Sequence, residues 1–185
     1  MTAETVPAEL APVRDFLNTL DVEDGTDALP HPQALHDWLA ERDLLGRDSR
    51  VTSGQFEKAL ALRAALRDLV SGHHDQRPRA VAEAATLATL ATQAYPLRVA
   101  FDEEGTPRLA SNSDSVAGAL AQLLAGLPLA VARGTWQRLK LCAAESCEWA
   151  YYDTSKNRSR RWCSMDVCGN REKTRTFRQR QAAHP

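Results

Sequence analysis

The chain lacks any apolar run approaching the roughly 18 residues needed to cross a bilayer, so no membrane-spanning segment is expected among its 185 residues. The N-terminal stretch MTAETVPAE has neither a positive region nor an apolar one, and no secretory signal is expected from it. A cytoplasmic, reducing setting follows as the expectation, and there paired cysteines serve metals more often than disulfides. Nucleotide-binding glycine loops are also missing. Asp24-Gly25 and Gly169-Asn170 are isolated turn signals. No internal repeat or low-complexity tract is present. His31, His36, His73 and His74 are scattered, and neighbours such as His73-His74 point apart on a helix. Beside Gly72 they read as a helix end, where histidine meets the C-terminal dipole favourably.

Cysteine is absent everywhere except between positions 142 and 168. There it falls as Cys142-x4-Cys147-x15-Cys163-x4-Cys168. Two close pairs separated by a longer loop are what a tetrahedral zinc site needs. Each pair offers two thiolates from one turn, and the loop brings the pairs together. Two disulfides in a secreted chain are the rival reading, which the expected reducing setting disfavours. The candidate ligands are therefore Cys142, Cys147, Cys163 and Cys168, and the cofactor is Zn2+. No histidine stands between positions 142 and 168, and His184 near the C-terminus lies beyond them. Four thiolates close the coordination sphere, whereas a catalytic zinc keeps a position open. A non-enzymatic role is expected.

Charge divides the chain. Residues 1–131 carry 11 Lys+Arg against 19 Asp+Glu, a balance of −8; residues 132–185 carry 12 against 5, a balance of +7; together they give the net −1. Such asymmetry points to two parts, the basic one facing a polyanion.

The first part reads as mainly helical. Val13, Phe16, Leu17 and Leu20 recur at helical spacing over 10–20, before an acidic, proline-punctuated loop over 21–32. Pro32 to Leu45 is expected as a helix stopped by Gly46, with Leu35, Trp38, Leu39 and Leu44 buried. Ser53 to Ser71 is the longest helical pattern, with Ser53 as candidate cap and Gly72 as stop. An alanine-rich helix over 79–92 should turn Val81, Ala85, Leu87 and Leu90 inward. Over 96–110 the period changes to alternation around Glu103-Glu104-Gly105, which predicts a β-hairpin. Helix returns over 113–126, and Pro128 permits a fresh turn after Leu127.

In the second part, Trp136 to Leu141 and Glu148 to Asp153 predict two strands with the first cysteine pair across their tip. A basic connector follows (Lys156 to Arg161, KNRSRR), then the second pair, then a helix to about Gln181 capped by Ser164 or Asn170. Trp149, Tyr151, Trp162 and Phe177 would supply what core such a small ββα module has. Arg171, Arg175 and Arg178 recur at i, i+4 and i+7 and share one helix face, and Lys173 and Arg180 share another. With Lys156, Arg158, Arg160 and Arg161 they form the candidate nucleic-acid surface, since guanidinium forks suit phosphates and guanine edges.

The run from Asp153 to Arg171 (DTSKNRSRRWCSMDVCGNR) resembles the signature of the CGNR zinc-finger family of bacteria, named for the stretch found here at 168–171. Downstream Lys173 and Arg178-x-Arg180 fit it too. Phe16-Leu-Asn-Thr-Leu20 and Pro32-x-x-Leu35-x-x-Trp38-Leu39 resemble the ABATE domain that precedes this finger. Proteins of this type are regarded as candidate stress-induced transcription regulators. The expected fold is mainly α: a helical ABATE-like domain over 1–131 with a small β-hairpin, then a zinc-stabilised, treble-clef-like module over 132–185. The resemblance implies four zinc-bound cysteines and a DNA partner, and in the leading reading the first part senses a small-molecule or protein signal or forms a homodimer. A protein close to the nucleoid would follow. The alternative is a zinc-stapled RNA- or protein-binding adaptor. Stacking aromatics on an exposed face would favour RNA.

Overall fold

The expected helices form, with limits set by local chemistry. In the computed structural model, which describes residues 6–75, 78–111 and 113–182, α1 spans Ala11–Leu17 with Pro12 in its first turn, where a missing N–H costs no hydrogen bond. The acidic segment that follows holds a two-residue ribbon, β1 (Leu20–Asp21) against β2 (Thr26–Asp27), where only a loop is legible. Helix α2 spans Pro32–Ala40, and His31 caps it by accepting the Ala34 N–H at Nδ1, 3.1 Å. It stops five residues short of Leu45. Asp43 enters the left-handed region at φ 55°, and the Leu44 N–H reaches back to the Leu39 carbonyl at 3.0 Å. The turn-off therefore precedes Gly46.

Helix α3 spans Ser53–Asp75. Thr52 rather than Ser53 caps it. Its Oγ1 accepts the Gln55 N–H at 3.3 Å while Gln55 Oε1 accepts the Thr52 N–H at 2.9 Å, a reciprocal capping box. The helix runs straight through Gly72. A Cβ at that position would collide with Val81 Cγ2, so Gly72 is where α4 (Pro78–Thr92) packs hard against α3. That approach sets the roll of α4: Ala84 is buried, whereas Leu87 and Leu90 are 57% and 63% exposed, contrary to their expected inward face.

The hairpin β3 (Arg98–Phe101) with β4 (Pro107–Ala110) forms as expected, Val99 facing Leu109 and Phe101 facing Pro107. Helix α5 (Val116–Leu124) is capped by Ser115, which accepts the Gly118 N–H at 3.1 Å. Helix α6 (Leu127–Ala132) restarts with Pro128. A 3-10 turn at Trp136–Arg138 leads into β5 (Leu139–Leu141), antiparallel to β6 (Ala150–Tyr152); both strands are shorter than alternation alone predicts. A π-type turn at Met165–Gly169, capped by Ser164, feeds α7 (Asn170–Ala182). Among the described residues the fold is mainly helical with three two-stranded ribbons, and it has the expected hairpin-then-helix order in its second part.

One core runs across the 131/132 division. Phe16, Leu17, Leu35, Leu39, Leu62 and Leu120 are buried in the same cluster as Leu139, Leu141, Ala150 and Tyr152 of the second ribbon. Two arginines of α3 are buried within it at 6% exposure. Arg63 grips Asp27 with both guanidinium nitrogens (2.8 and 2.5 Å) and donates to Thr19 Oγ1. Arg67 donates to the carbonyls of Leu17 and Glu148, 3.0 and 3.1 Å. Fixed charges in a core persist when their partners are fixed too.

Gly72→Ala should separate helix propensity from packing. Propensity alone predicts a gain of about 1 kcal/mol, whereas overpacking against Val81 costs about 1–3 kcal/mol. We expect a lower urea midpoint for the single variant and recovery in Gly72→Ala with Val81→Ala. A stabilised single variant would contradict the close helix contact.

Candidate metal centre

The β5–β6 ribbon places the first cysteine pair, and side chains from the helical part hold the ribbon. Alternation of the ladder turns the Ala150 backbone and the Leu139 and Leu141 carbonyls away from the partner strand. Asn18, just past α1, meets Ala150 from outside: its Nδ2 donates to the Ala150 carbonyl at 2.9 Å and its Oδ1 accepts the Ala150 N–H at 2.7 Å. On the opposite edge His73 Nδ1 donates to the Leu139 carbonyl at 2.7 Å, and His74 Nε2 donates to the Leu141 carbonyl at 2.6 Å. Burial pushes the His73 pKa down, which keeps the ring neutral. Trp136 packs edge-on against it at 4.9 Å. The histidine pair thus lies in the last turn of α3, as expected, and from there clamps the metal ribbon.

Cys142 follows β5 directly, and its N–H donates to the Trp149 carbonyl at 2.9 Å. The chain then turns so that the N–H groups of Cys147 and Glu148 both reach the Ala144 carbonyl, with Glu148 left-handed at φ 49°. Cys163 ends the connector, and Cys168 lies in the π-type turn. The Ala143 N–H donates to the Arg161 carbonyl at 2.8 Å and ties the two cysteine loops together. All four sulfurs lie within 4.8 Å of one another. Cys147 to Cys163 is 3.7 Å and Cys163 to Cys168 is 3.6 Å. A tetrahedron of sulfurs about 2.3 Å from a central zinc has edges of about 3.8 Å, so the set fits. All four cysteines are free of disulfides. Packed this closely, the thiols resist ionising together. Hydrogen bonding from Cys163 lowers Cys142 to about 5, while burial pushes Cys147 up to about 12. A divalent cation at their centre would relieve that opposition.

The basic connector wraps a buried ion pair that the sequence pattern does not reveal. Lys140 and Asp153, 3% and 0% exposed, meet at 2.7 Å. Lys140 Nζ also donates to the carbonyls of Arg158 and Arg160, 2.5 and 3.2 Å. Asp153 accepts from Ser155 Oγ, the Ser155 N–H and the Arg160 N–H. Burial would raise the Asp153 pKa, but the bonds from Lys140 and Ser155 outweigh it and hold the carboxyl below its ordinary range. Its contribution to stability is full above the unfolded-state value and is lost as pH falls through the folded one.

The candidate basic residues separate by environment. Arg160 is turned inward: its guanidinium donates to the carbonyls of Trp162 and Cys163 and lies over the Tyr151 ring at 5.1 Å. Lys156, Arg158 and Arg161 of the connector are exposed, as are Arg171, Lys173, Arg175, Arg178 and Arg180 of α7. Arg171, Arg175 and Arg178 do share one helix face and line one shallow groove. Arg171 also pairs with Glu23 at 2.6 Å, and Arg175 with Glu172 at 2.7 Å. Of the four expected core aromatics, Tyr151 is buried and Trp162 half-buried, while Trp149 and Phe177 are 37% and 60% exposed. The helical part covers the ribbon instead, so the module needs no aromatic core of its own. His184 lies outside the described residues.

Two family models match the chain. One, described as "Putative stress-induced transcription regulator" and designated ABATE, matches residues 10–132. The other, the CGNR zinc finger, matches residues 138–181. No curated protein matches. Among the described residues no helix is long and apolar enough to cross a membrane.

Asp153→Asn should cost about 3–5 kcal/mol, the usual loss when one member of a buried pair is removed, and should loosen metal retention in a chelator competition. Asp153→Asn combined with Lys140→Met should cost less than the sum of the two single changes, because the double variant leaves no buried charge without its partner. A urea midpoint unchanged by Asp153→Asn would show that the connector does not depend on this pair.

Proposed function

The chain belongs to the ABATE family and carries a CGNR zinc finger behind its helical part, and on that premise we propose that it is a transcription regulator that binds DNA through its zinc module. Cys142, Cys147, Cys163 and Cys168 would hold one zinc ion, whose chemistry is structural: four thiolates leave no open position for a substrate, and no catalytic role is proposed. The observation that carries the reading is the exposed basic arm. Helix α7 leaves the metal site packed mainly on the turn before it, with five exposed cations along it. Exposed Lys156, Arg158 and Arg161 extend the surface as phosphate contacts. Arg160 acts from within, orienting the Cys163 loop. The division into a sensing part over 1–131 and a reading part over 132–185 belongs to the same proposal. A signal would meet both at the cleft of about 670 Å³ lined by Arg14, Arg42, Trp38, Trp149 and Tyr152.

Single-stranded nucleic acid, RNA above all, is the second reading. Exposed Phe177 and Trp149 favour it, because a free aromatic face can stack a base.

Protein purified without added metal should contain one zinc per chain, and Cys168→Ser should abolish that stoichiometry. Full-length protein should bind duplex DNA with an affinity that falls steeply with salt. Replacing Arg171, Arg175 and Arg178 by alanine should weaken binding strongly and flatten the log–log salt slope by about 3 contacts' worth, near 0.9 each, with zinc content unchanged. Lys156→Ala should weaken binding about equally across sequences. Recovery of only single strands from a random-sequence selection would favour the second reading. Recovery of no nucleic acid would leave a protein-binding adaptor.

A further inference from the structure

The ribbon edges are treated unequally, and the difference identifies an interaction surface. Both edges of β5–β6 are occupied by side chains, Asn18 on one and His73 with His74 on the other. The outer edge of β4 is blunted. Pro107 has no N–H to offer, and the Ser111 N–H just beyond the strand is taken by Gln122 Oε1 at 3.0 Å. The outer edge of β3 has no such cover. The Asp102 N–H donates to the Thr106 carbonyl at 3.1 Å, which fixes the alternation. Arg98 and Ala100 turn their backbone groups toward β4, and Val99 and Phe101 turn theirs outward. Outside the hairpin, the Val99 and Phe101 N–H groups have no hydrogen-bond partner among the described residues.

The side chains at this edge are those that normally avoid water. Val99 and Phe101 are 59% and 67% exposed, and Leu97 on the same face is 41% exposed. A strand edge that must stay single is usually protected by lysine, proline or a bulge. Here proline stands at an outward position of β4, whereas both outward positions of β3 carry exposed apolar side chains and its one charge, Arg98, sits on the other face of the strand.

We propose that β3 pairs antiparallel with β3 of a second copy of this chain, across a two-fold axis at Ala100, joining two ribbons into one four-stranded sheet. This register is self-complementary. Val99 faces the partner's Phe101 as a hydrogen-bonded pair, so the outward N–H and C=O groups satisfy one another. It also sets an aromatic side chain against a β-branched one, a favourable cross-strand pair. Arg98 faces the partner's Asp102 in the closely spaced, non-hydrogen-bonded position. Arg98 is exposed and has no ion-pair partner among the described residues. Asp102 uses Oδ1 for the turn, accepting the N–H groups of Glu104 and Thr106, and leaves Oδ2 for the partner's cation. An axis at Val99 would set Arg98 against Ala100, and one at Phe101 would carry it past the strand end. Only the axis at Ala100 matches both hydrogen bonding and charge within the strand. The interface is isologous, each surface meeting its own copy, and it is independent of what the zinc module binds.

The full-length, zinc-loaded protein should sediment at twice the mass of one chain. Phe101→Pro removes one outward N–H and leaves the bonds to β4 intact. Val99→Lys places a charge on the edge. Both should yield monomers with unchanged zinc content and helical circular dichroism. Arg98→Glu should shift the equilibrium toward monomer, and less so at high salt. In the dimer the two Ala100 positions lie about 4.5 Å apart between Cα atoms, so Ala100→Cys should form an interchain disulfide on oxidation. A monomeric wild-type chain, a dimer that survives both Phe101→Pro and Val99→Lys, or a dimer in which Ala100→Cys does not cross-link would overturn the proposal.

Discussion

The structure depends on a three-residue ribbon gripped from both sides. Strands β5 and β6 are too short to persist alone, since an isolated two-stranded hairpin is marginal in water. Asn18 supplies one edge with the donor and acceptor that a neighbouring strand would provide, and His73 and His74 supply donors to the other. Leu139, Leu141, Ala150 and Tyr152 then bury into the core of the helical part. The loop holding Cys142 and Cys147 springs from the end of this gripped ribbon. Arg67 of α3 also donates to the Glu148 carbonyl in that loop. The metal set is thus organised by helices that lie more than sixty residues earlier in the chain.

Charge is arranged around the same ribbon in two tiers. Cations that are buried (Arg63, Arg67 and Lys140) each have a carboxylate partner and further carbonyl or hydroxyl acceptors. Removing one partner would strand the other, which makes these networks costly to break though of modest net benefit. Cations on α7 and the connector are exposed and numerous, and the proposed reading gives them a polyanion to meet. The acidic balance of residues 1–131 would repel the same polyanion elsewhere and favour approach by the basic arm.

Much of this was legible in the sequence because it rests on periodicity and spacing. The cysteine pattern anticipated a compact set of four sulfurs, and the β-hairpin around Gly105 and the helix beyond Cys168 followed from local signals. What stayed hidden depends on contacts between distant residues. Gly72 resembles a helix stop, yet its meaning lies in Val81. Leu87 and Leu90 sit at inward-looking positions by period, but the roll of α4 is fixed by that same contact. Lys140 stands between two leucines in a strand, and nothing local announces that Asp153, thirteen residues on, neutralises it inside the core. His73 and His74 lie in the last turn of α3, as their sequence setting suggests, but the carbonyls they hold belong to β5 and nothing local announces them. Trp149 and Phe177 suit a small aromatic core, but the helical part covers the ribbon and leaves both exposed.

The most direct test of this organisation is hydrogen–deuterium exchange of the full-length protein before and after zinc is removed by a chelator. If the ribbon and the helices share one core, losing the metal should deprotect not only residues 139–182 but also the C-terminal turns of α3 around Val70 and the α1 segment adjoining Asn18. Deprotection confined to the residues beyond Leu141, with α1 and α3 unchanged, would contradict the account and show that the metal loop rests on the helical part without supporting it.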